Sequence, residues 1–276
     1  MRRLTLVLAA LALPLGAVAQ DKKEAGGDKI GKDKAPTVAK KMIVEVQKRK
    51  CAAIAQTGEM TAGGGNNQKV SGTFEGVLRK DFAGVKGTLE MYAQGAKTLV
   101  NTGARFDPPE DLEGPQVGQA ATFKNPALLL NEVSRLVNTA SFLSDETVDG
   151  KECKELTFVA DEATVKQYLK EIADRMGKQM RGFGGGFGAM IDWSKALDEK
   201  TTVASYSVLV GKADLLVYKI VFVIKPKINP KGLPQQFPPQ FAQMELDQRY
   251  EVKFSKWDGE VAFEVPAAIK AKWGIK

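Results

Sequence analysis

Side chains that could support catalysis are few in this chain of 276 residues. There is no histidine, so the commonest general base and the commonest zinc ligand are both missing. Catalysis by Ser-His-Asp or Cys-His arrangements is therefore excluded. The acidic pairs Glu110-Asp111 and Asp161-Glu162 are adjacent in sequence, whereas glycosidases need two carboxylates that face each other across a cleft. We predict a protein that is not an enzyme, and we expect no metal and no cofactor.

A glycine-rich run over residues 181–188 is similar to the G-x-G-x-x-G motif of dinucleotide-binding proteins. That motif follows a strand and opens a helix, but here a predicted helix comes before it. We therefore predict a loop without a nucleotide. Phe183, Phe187, Met190 and Trp193 lie on this loop or just after it. They could form a lid over an apolar site or touch a membrane, or they could fold down as ordinary core.

Cys51 and Cys153 are the only cysteines, and two thiolates alone cannot complete a tetrahedral metal site. They could form a disulfide in an oxidising compartment. The spacing does not fix the geometry that a disulfide requires. Two separate buried thiols, each acting as a small apolar residue, are the alternative.

The first residues predict export. Arg2 and Arg3 precede a short apolar run, and residues 17–19 (Ala-Val-Ala) have the small-x-small pattern of a signal peptidase site. The run is shorter than the roughly 20 residues that span a bilayer. We predict a signal peptide over residues 1–19, cleaved after Ala19. Because no cysteine lies near this site, we expect no lipid anchor and a periplasmic or secreted location.

The rest of the chain is predicted to be a flexible linker and one domain. Residues 20–36 are rich in Lys, Asp and Gly and bury too little apolar surface to be ordered. Residues 37–276 are long enough for a single domain with a substantial core. Removing Arg2 and Arg3 with the signal lowers the formal net charge from +7 to +5. The basic residues are not interleaved with aromatics as in nucleic-acid proteins, so we expect no nucleic acid.

The periodicity of apolar residues places two kinds of element in this domain. A helix over about 37–50 has a stripe formed by Val38, Met42 and Val46. It could touch an anionic membrane surface or cap one end of a sheet. Further helices are predicted after the caps Asn125 and Asp161 and through Trp193, with loops at 107–119 and 226–239. Strands are predicted at 51–62, 69–80, 84–94, 97–106, 140–148, 151–159, 201–210, 215–225, 246–255 and 260–265. Asp149-Gly150 is predicted to join two of them as a type I′ hairpin turn, and 246–255 alternates between apolar and charged residues.

Glycines interrupt the apolar faces of two neighbouring predicted strands. Gly72 and Gly76 lie on one of them and Gly87 on the other. Glycine inside a strand permits sharp curvature or leaves a gap in the face, so the sheet could be bent or could leave room for a ligand. The apolar side chains that would line such a space are Val70, Phe74, Leu78, Leu89, Met91, Tyr250, Val252 and Phe254.

The order of elements resembles the periplasmic lipoprotein-carrier superfamily, the LolA-like and LppX-like proteins. The residues that carry the resemblance are Thr57-Gly58-Glu59-Met60, Val70-Ser71-Gly72-Thr73-Phe74, the hairpin over 203–224, the strand over 250–254 and Trp257-Asp258-Gly259. It covers about residues 37–265. It implies an α+β, mostly β fold: a strongly curved antiparallel sheet, a half-barrel of about ten strands, with helices on the concave side. The proline-rich 226–239 and the glycine-rich 182–188 segments depart from it.

The resemblance also implies a function. We expect an exported cell-envelope protein that binds or carries a lipid or a lipidated partner in an apolar cavity. The alternative is a structural or protein-interaction module of the envelope with a fully packed core. An empty space between sheet and helices would favour the first hypothesis, and an interior filled by side chains would favour the second.

Overall fold

A single antiparallel sheet forms the frame of the protein. The computed structural model describes residues 28–63, 68–103, 105–112, 114–182, 191–234 and 245–274. The strands are β1 (Ala52–Gly63), β2 (Gln68–Arg79), β3 (Phe82–Gly87), β4 (Met91–Gln94), β5 (Lys97–Asn101), β6 (Phe106–Asp107), β7 (Ser141–Val148), β8 (Lys151–Val159), β9 (Leu197–Gly211), β10 (Val217–Ile228) and β11 (Glu245–Ser255). The helices are α1 (Ala35–Gln47), α2 (Pro115–Ala121), α3 (Pro126–Arg135), α4 (Glu162–Gly182), α5 (Trp193–Ala196) and α6 (Ala267–Trp273).

The sheet is two meanders joined at one strand pair. Its order is β6-β5-β4-β3-β2-β1-β11-β10-β9-β8-β7, and every neighbouring pair is antiparallel. β1 pairs with β11 over the full run from Ala53↔Ser255 to Gly63↔Glu245. The sheet does not close, because β6 and β7 form its two edges. The predicted curved half-barrel with helices on its concave side is confirmed, with eleven strands in the described part of the chain.

Alternation along the strands separates a concave face from a convex face. On β11, the buried Tyr250, Val252 and Phe254 point to the concave side, and the exposed Arg249 and Lys253 point away. The concave side chains join those of α1, α3 and α4 in one large apolar cluster. The core therefore lies between the sheet and its helices.

The C-terminal residues cover part of the convex face. The predicted strand over 260–265 is wrong, because these residues form no strand ladder and lead into α6 instead. Val265 and Ile269 are buried against Val77, Phe82 and other side chains of β2–β5. Pro266 caps α6. The apolar alternation of this segment serves packing onto a sheet face rather than pairing at an edge.

Several predicted boundaries change for local reasons. The predicted strand 84–94 is two strands, β3 and β4, with a turn between them, and 97–106 is likewise divided between β5 and β6. The predicted loop 107–119 contains most of α2, which starts with proline at its first position. β10 continues to Ile228 inside the predicted loop 226–239. The Asp149-Gly150 hairpin is confirmed, with φ of 48° and 76° at its two turn residues.

The two ends of the sequence fall partly outside the described residues. The predicted signal peptide over 1–19 and the start of the predicted linker lie there. The last part of that linker packs against the domain: Ile30 is buried in the main cluster, and Lys29 N donates to Lys212 O at 2.8 Å. No helix in the described ranges is both long and apolar enough to cross a membrane.

The two cysteines are free thiols in separate clusters. Cys51 packs beside the cluster of Val77 and Phe82, whereas Cys153 is fully buried with Leu209 and other residues of the opposite half of the sheet. Burial raises the pKa of the Cys153 thiol to about 11. This thiol therefore stays protonated and unreactive near neutral pH.

Candidate functional site

The glycine gaps of the central strands are filled by the chain itself. Gly58 on β1 and Gly72 on β2 are cross-strand partners. A Cβ atom at Gly58 would lie 1.8 Å from the carbonyl oxygen of Thr122, and one at Gly72 would lie 2.1 Å from Thr122 Oγ1. Both distances are far below van der Waals contact. The glycines thus let the end of α2 and its link to α3, residues 119–125, sit directly on the sheet. We call this segment the junction.

Hydrogen bonds hold the junction in place from both ends. The Tyr250 hydroxyl lies 2.9 Å from the carbonyl oxygen of Ala121. With its amide oriented to satisfy both partners, the buried Gln56 side chain donates to Lys124 O at 2.9 Å and accepts from Lys124 N at 2.7 Å. Asn125 accepts from Ala127 N at 3.0 Å, which caps α3, and its Nδ2 donates to Gly95 O at 2.9 Å. The carbonyl group of Ala121 and both backbone groups of Lys124 are therefore paired where the junction lies against the sheet.

The cap of α3 gives a direct test of this arrangement. We expect Asn125→Ala to lower the free energy of unfolding by about 2 kcal/mol, the upper end of the capping range, because it also removes the bond to Gly95. Urea unfolding measures this loss. The matched control is Asn131→Ala, an exposed position on the same helix, where a change within about 0.5 kcal/mol is expected. Equal losses in both variants would contradict the role given to the cap.

A cavity of about 570 Å³ opens beside the junction. It lies between the junction, α4, the β4–β5 turn and the inner face of β11. Its apolar walls come from Met91, Val117, Phe123, Leu128, Ile172 and Tyr250. Phe123 also packs edge-on against Phe74, with ring centroids 5.6 Å apart, and so closes the cavity toward β2. We call this space the first cavity.

Charged side chains share the walls of the first cavity with these apolar ones. Lys124, Glu171, Asp174 and Arg175 all line it. Lys124 Nζ is 3.1 Å from Glu171 Oε2 and lies 4.0 Å from the centroid of the Tyr168 ring, so it combines an ion pair with a cation–π contact. An amphiphile with an oily body and a polar end would match this mixed lining.

A carboxylate and stacked aromatic rings support the floor of the first cavity. Glu132 Oε2 accepts hydrogen bonds from the hydroxyls of Tyr168 at 2.5 Å and Tyr206 at 3.0 Å. Phe222 lies between rings, with centroids 4.6 Å from Tyr168, 4.7 Å from Tyr206 and 6.1 Å from Tyr250. Burial raises the pKa of all three tyrosines. Their hydroxyls are therefore neutral hydrogen-bond donors at physiological pH.

The residues predicted to line a ligand site are only partly brought together. Met91 and Tyr250 line the first cavity. Phe74, Val252 and Phe254 are fully buried in the main cluster, and Leu89 packs against it. Leu78 reaches a second cavity, and Val70 is half-buried. Whether any of the eight touches a ligand stays a prediction.

The predicted lid falls into two parts. Phe183, Phe187 and Met190 lie outside the described residues. Trp193 is buried at the start of α5 within the main cluster, where Asp192 caps the helix by accepting from Ser194 N at 3.2 Å. Trp193 therefore belongs to the core, which was one of the two alternatives for it.

Sequence reasoning missed the junction and the charged wall. Asn125 and Pro126 marked the start of α3, but Thr122 and Lys124 directly before them carried no signal of their own. Glu171, Asp174 and Arg175 follow helical spacing along one side of α4, where charged residues normally face water. In the described ranges no three His, Cys, Asp or Glu side chains are close enough to hold a metal ion.

Comparison with protein-family profiles finds no match, and none of the curated proteins matches the sequence. Among solved structures, the chain is similar to LprF from Mycobacterium bovis, with a TM-score of 0.39 and 11% identity over 84% of this chain and 97% of that one. It is also similar to the Mycobacterium tuberculosis lipoprotein LppX, with a TM-score of 0.37 and 11% identity over 83% of this chain and 99% of that one. A LolA superfamily protein from Nitrosomonas europaea has a TM-score of 0.28 and 8% identity over 86% of this chain and 97% of its own.

Two of these three structures carry the names of the groups that the sequence resembles. The likeness concerns the fold, since the identities and TM-scores are low. The function has to be argued from the residues of this chain.

Proposed function

We propose that this protein binds a lipid or the lipid part of a lipidated partner in the cell envelope, without catalysing a reaction. The observation that carries the proposal is the first cavity, a half-open space of about 570 Å³ whose walls are both apolar and charged. Its volume lies within the range of about 300–1,000 Å³ that is usual for small-molecule sites. The predicted signal peptide supports a location in the envelope.

The lining suggests how an amphiphile would bind. Its acyl part would lie against Met91, Leu128 and Ile172, where each buried methylene contributes about 0.8 kcal/mol. Its polar end would meet Lys124 and Arg175 at the charged wall. The tyrosine hydroxyls beneath already donate to Glu132 and to Ala121 O, so the charged wall supplies the polar contacts.

A fully packed structural module remains the second candidate, and one specific observation favours it. The glycine gaps at Gly58 and Gly72, which could have admitted a ligand, are occupied by Thr122. The inner side chains of β11 are likewise buried by the chain itself. This candidate predicts that the first cavity holds only water.

The test closes the first cavity from its rim. Ala96 is exposed in the β4–β5 turn and lines this cavity, so Ala96→Trp should obstruct it without disturbing the core. The purified protein should release lipid on solvent extraction, detected by mass spectrometry, and should raise the fluorescence of an apolar probe. In Ala96→Trp both signals should fall about tenfold, which corresponds to roughly 1.4 kcal/mol of binding free energy.

The matched control is Ala213→Trp, which adds the same ring to an exposed residue of the β9–β10 turn, outside both cavities. It should leave lipid content and probe fluorescence unchanged. Absence of lipid and of probe binding in the unaltered protein would reject the carrier function and favour the packed module.

A further inference from the structure

A second cavity lies on the other side of α3, and it shares no lining residue with the first cavity. It has a volume of about 320 Å³ and opens between α1, α3 and the start of β1. Its apolar walls are formed by Ile43, Val46, Leu78, Ala127, Leu130 and Trp257. We propose that this second cavity is a separate binding site for an anionic amphiphile, an alkyl chain that ends in a phosphate or a carboxylate.

The charge of the lining points to an anion. Arg49, Lys50 and Lys80 all line the second cavity, and no carboxylate side chain does. Two acids beside this lining are already engaged: Asp258 pairs with Arg49 at 3.2 Å and Glu45 pairs with Lys48 at 2.6 Å. Even with both acids counted, the surroundings keep an excess of positive charge.

Two of these cations are available to a ligand. Among the described residues, neither Lys50 nor Lys80 has an ion-pair partner, in contrast to Arg49. The backbone of Lys50 is fixed, because its N–H donates to Asp258 Oδ1 at 2.6 Å. Lys80 lies in the β2–β3 turn with a φ of 50°. Both ammonium groups can therefore reach an anion at the rim without breaking an existing pair.

Arg49 adds an unused hydrogen-bond donor. Its terminal nitrogens contact Asp258 and, at 3.8 Å, Glu45. Its Nε, however, is buried without a partner among the described residues. A buried donor without a partner costs about 1–3 kcal/mol, and an acceptor oxygen of a bound phosphate or carboxylate would satisfy it.

Cys51 provides a reporter inside the second cavity. Its half-buried thiol lines the cavity, with Sγ 3.4 Å from Gly259 O. Cys153 is fully buried and has a pKa raised to about 11, so a maleimide should label Cys51 alone in the folded protein. A ligand in the second cavity should cover this thiol.

The experiment measures how fast Cys51 is alkylated in the purified protein. Dodecyl phosphate, kept below its micelle concentration at ten times its dissociation constant, should slow alkylation about tenfold by mass action. Dodecanoate should act in the same way. Inorganic phosphate and dodecyltrimethylammonium should give no protection, because the first lacks the alkyl chain and the second has the opposite charge.

Charge-removing variants decide whether the lysines bind the headgroup. Lys50→Met with Lys80→Met should weaken binding of dodecyl phosphate about fivefold, as expected for two partly exposed ion pairs. Lys151→Met with Lys270→Met removes the same charge from exposed positions elsewhere and should leave binding unchanged. Equilibrium dialysis gives the dissociation constants directly, so the result stands even if Cys51 reacts slowly.

The outcomes separate this site from the first cavity. Dodecyl phosphate should still protect Cys51 in Ala96→Trp, because this variant obstructs the first cavity alone. Binding at one site can therefore be disproved without disproving binding at the other. Three results would overturn the proposal: no binding of dodecyl phosphate to the Ala96→Trp protein, equal protection by the cationic amphiphile, or equal weakening in the two double-lysine variants.

Discussion

Replacing Gly58 by alanine should lower the free energy of unfolding by about 3 kcal/mol, the upper end of the usual cost of overpacking. The added Cβ would lie 1.8 Å from the carbonyl oxygen and 2.7 Å from the carbonyl carbon of Thr122. Because these are backbone atoms, no rotamer change can relieve the overlap. Either β1 or the junction has to move, and the junction is fixed by Tyr250, Gln56 and Asn125. Urea unfolding followed by circular dichroism measures the loss.

The neighbouring glycine should behave differently, because its obstacle is a side chain. A Cβ at Gly72 meets Thr122 Oγ1 at 2.1 Å, and its next contact, with the Phe74 ring, is at 3.0 Å. Gly72→Ala alone should cost about 2 kcal/mol. Thr122→Ala alone should cost about 1 kcal/mol, for the bond from Oγ1 to Gln119 O. The double variant should lose less stability than the two single variants added together, since Thr122→Ala removes the atom that the new Cβ would overlap.

The double-mutant cycle gives the decisive comparison. Thr122→Ala should rescue Gly72→Ala but should leave Gly58→Ala as unstable as before, since the backbone oxygen remains. A control for the exchange itself is Gly177→Ala in α4, whose added Cβ would meet only Trp193 Cδ1, at 4.0 Å. Helix propensity predicts a gain of about 0.5–1 kcal/mol there. If Thr122→Ala rescues both strand variants equally, the packing of the junction described above is wrong.

These contacts also explain what the sequence could and could not predict. The Asp149-Gly150 turn, the Asn125 and Asp161 caps and the alternation on β11 are local signals, and each led to the correct element. The junction is a long-range contact, because Thr122 is 64 residues from Gly58 along the chain. Nothing in either sequence segment identifies the other. Gly72 could therefore be predicted to leave a gap in the strand face, but the residue that fills the gap could not be predicted.

The missed elements share a physical cause. Helix α2 has seven residues, Pro-Gln-Val-Gly-Gln-Ala-Ala, too few for a periodic stripe, and it depends on its contacts with β2 for stability. The residues after Asp258-Gly259 alternate as a strand would, but their apolar side chains pack onto the convex face. A pattern of alternating side chains specifies that one face is buried, and it does not specify that the backbone pairs.

The candidate site lies beside the glycine-interrupted strands and not directly on them. Gly72, Gly76 and Gly87 predicted a bend or an empty space on the faces of β2 and β3. At Gly72 the junction fills that space, and the two cavities open instead on the flanks of the junction, divided by α3. The first cavity lies between α3 and α4, and the second lies between α1 and α3. The spacing of these helices therefore determines where the fold leaves open space. The strand residues that were predicted to line a ligand mostly support those helices from below.

The aromatic floor of the first cavity should be the most sensitive part of the core. We expect Phe222→Ala to lower the free energy of unfolding by about 4–5 kcal/mol, the upper part of the range for a buried phenylalanine. Phe222 is fully buried and stacks on Tyr168 and Tyr206 within 5 Å. Its loss would also let the two hydroxyls that bind Glu132 shift. Urea unfolding measures the change, and Phe222→Leu, which keeps most of the volume, should cost only about 1–1.5 kcal/mol.

A second buried phenylalanine isolates the contribution of stacking. Phe158 is as fully buried as Phe222 but stacks on no ring among the described residues, so Phe158→Ala loses burial and packing alone. We expect Phe222→Ala to exceed it by about 1 kcal/mol, the usual contribution of aromatic pairs beyond their buried area. Adding Tyr168→Phe should not change this difference, because it removes a hydroxyl and keeps the ring. If the two alanine variants are equally unstable, the rings contribute through burial alone, and the floor of the first cavity is held by Glu132 and its two tyrosine hydroxyls.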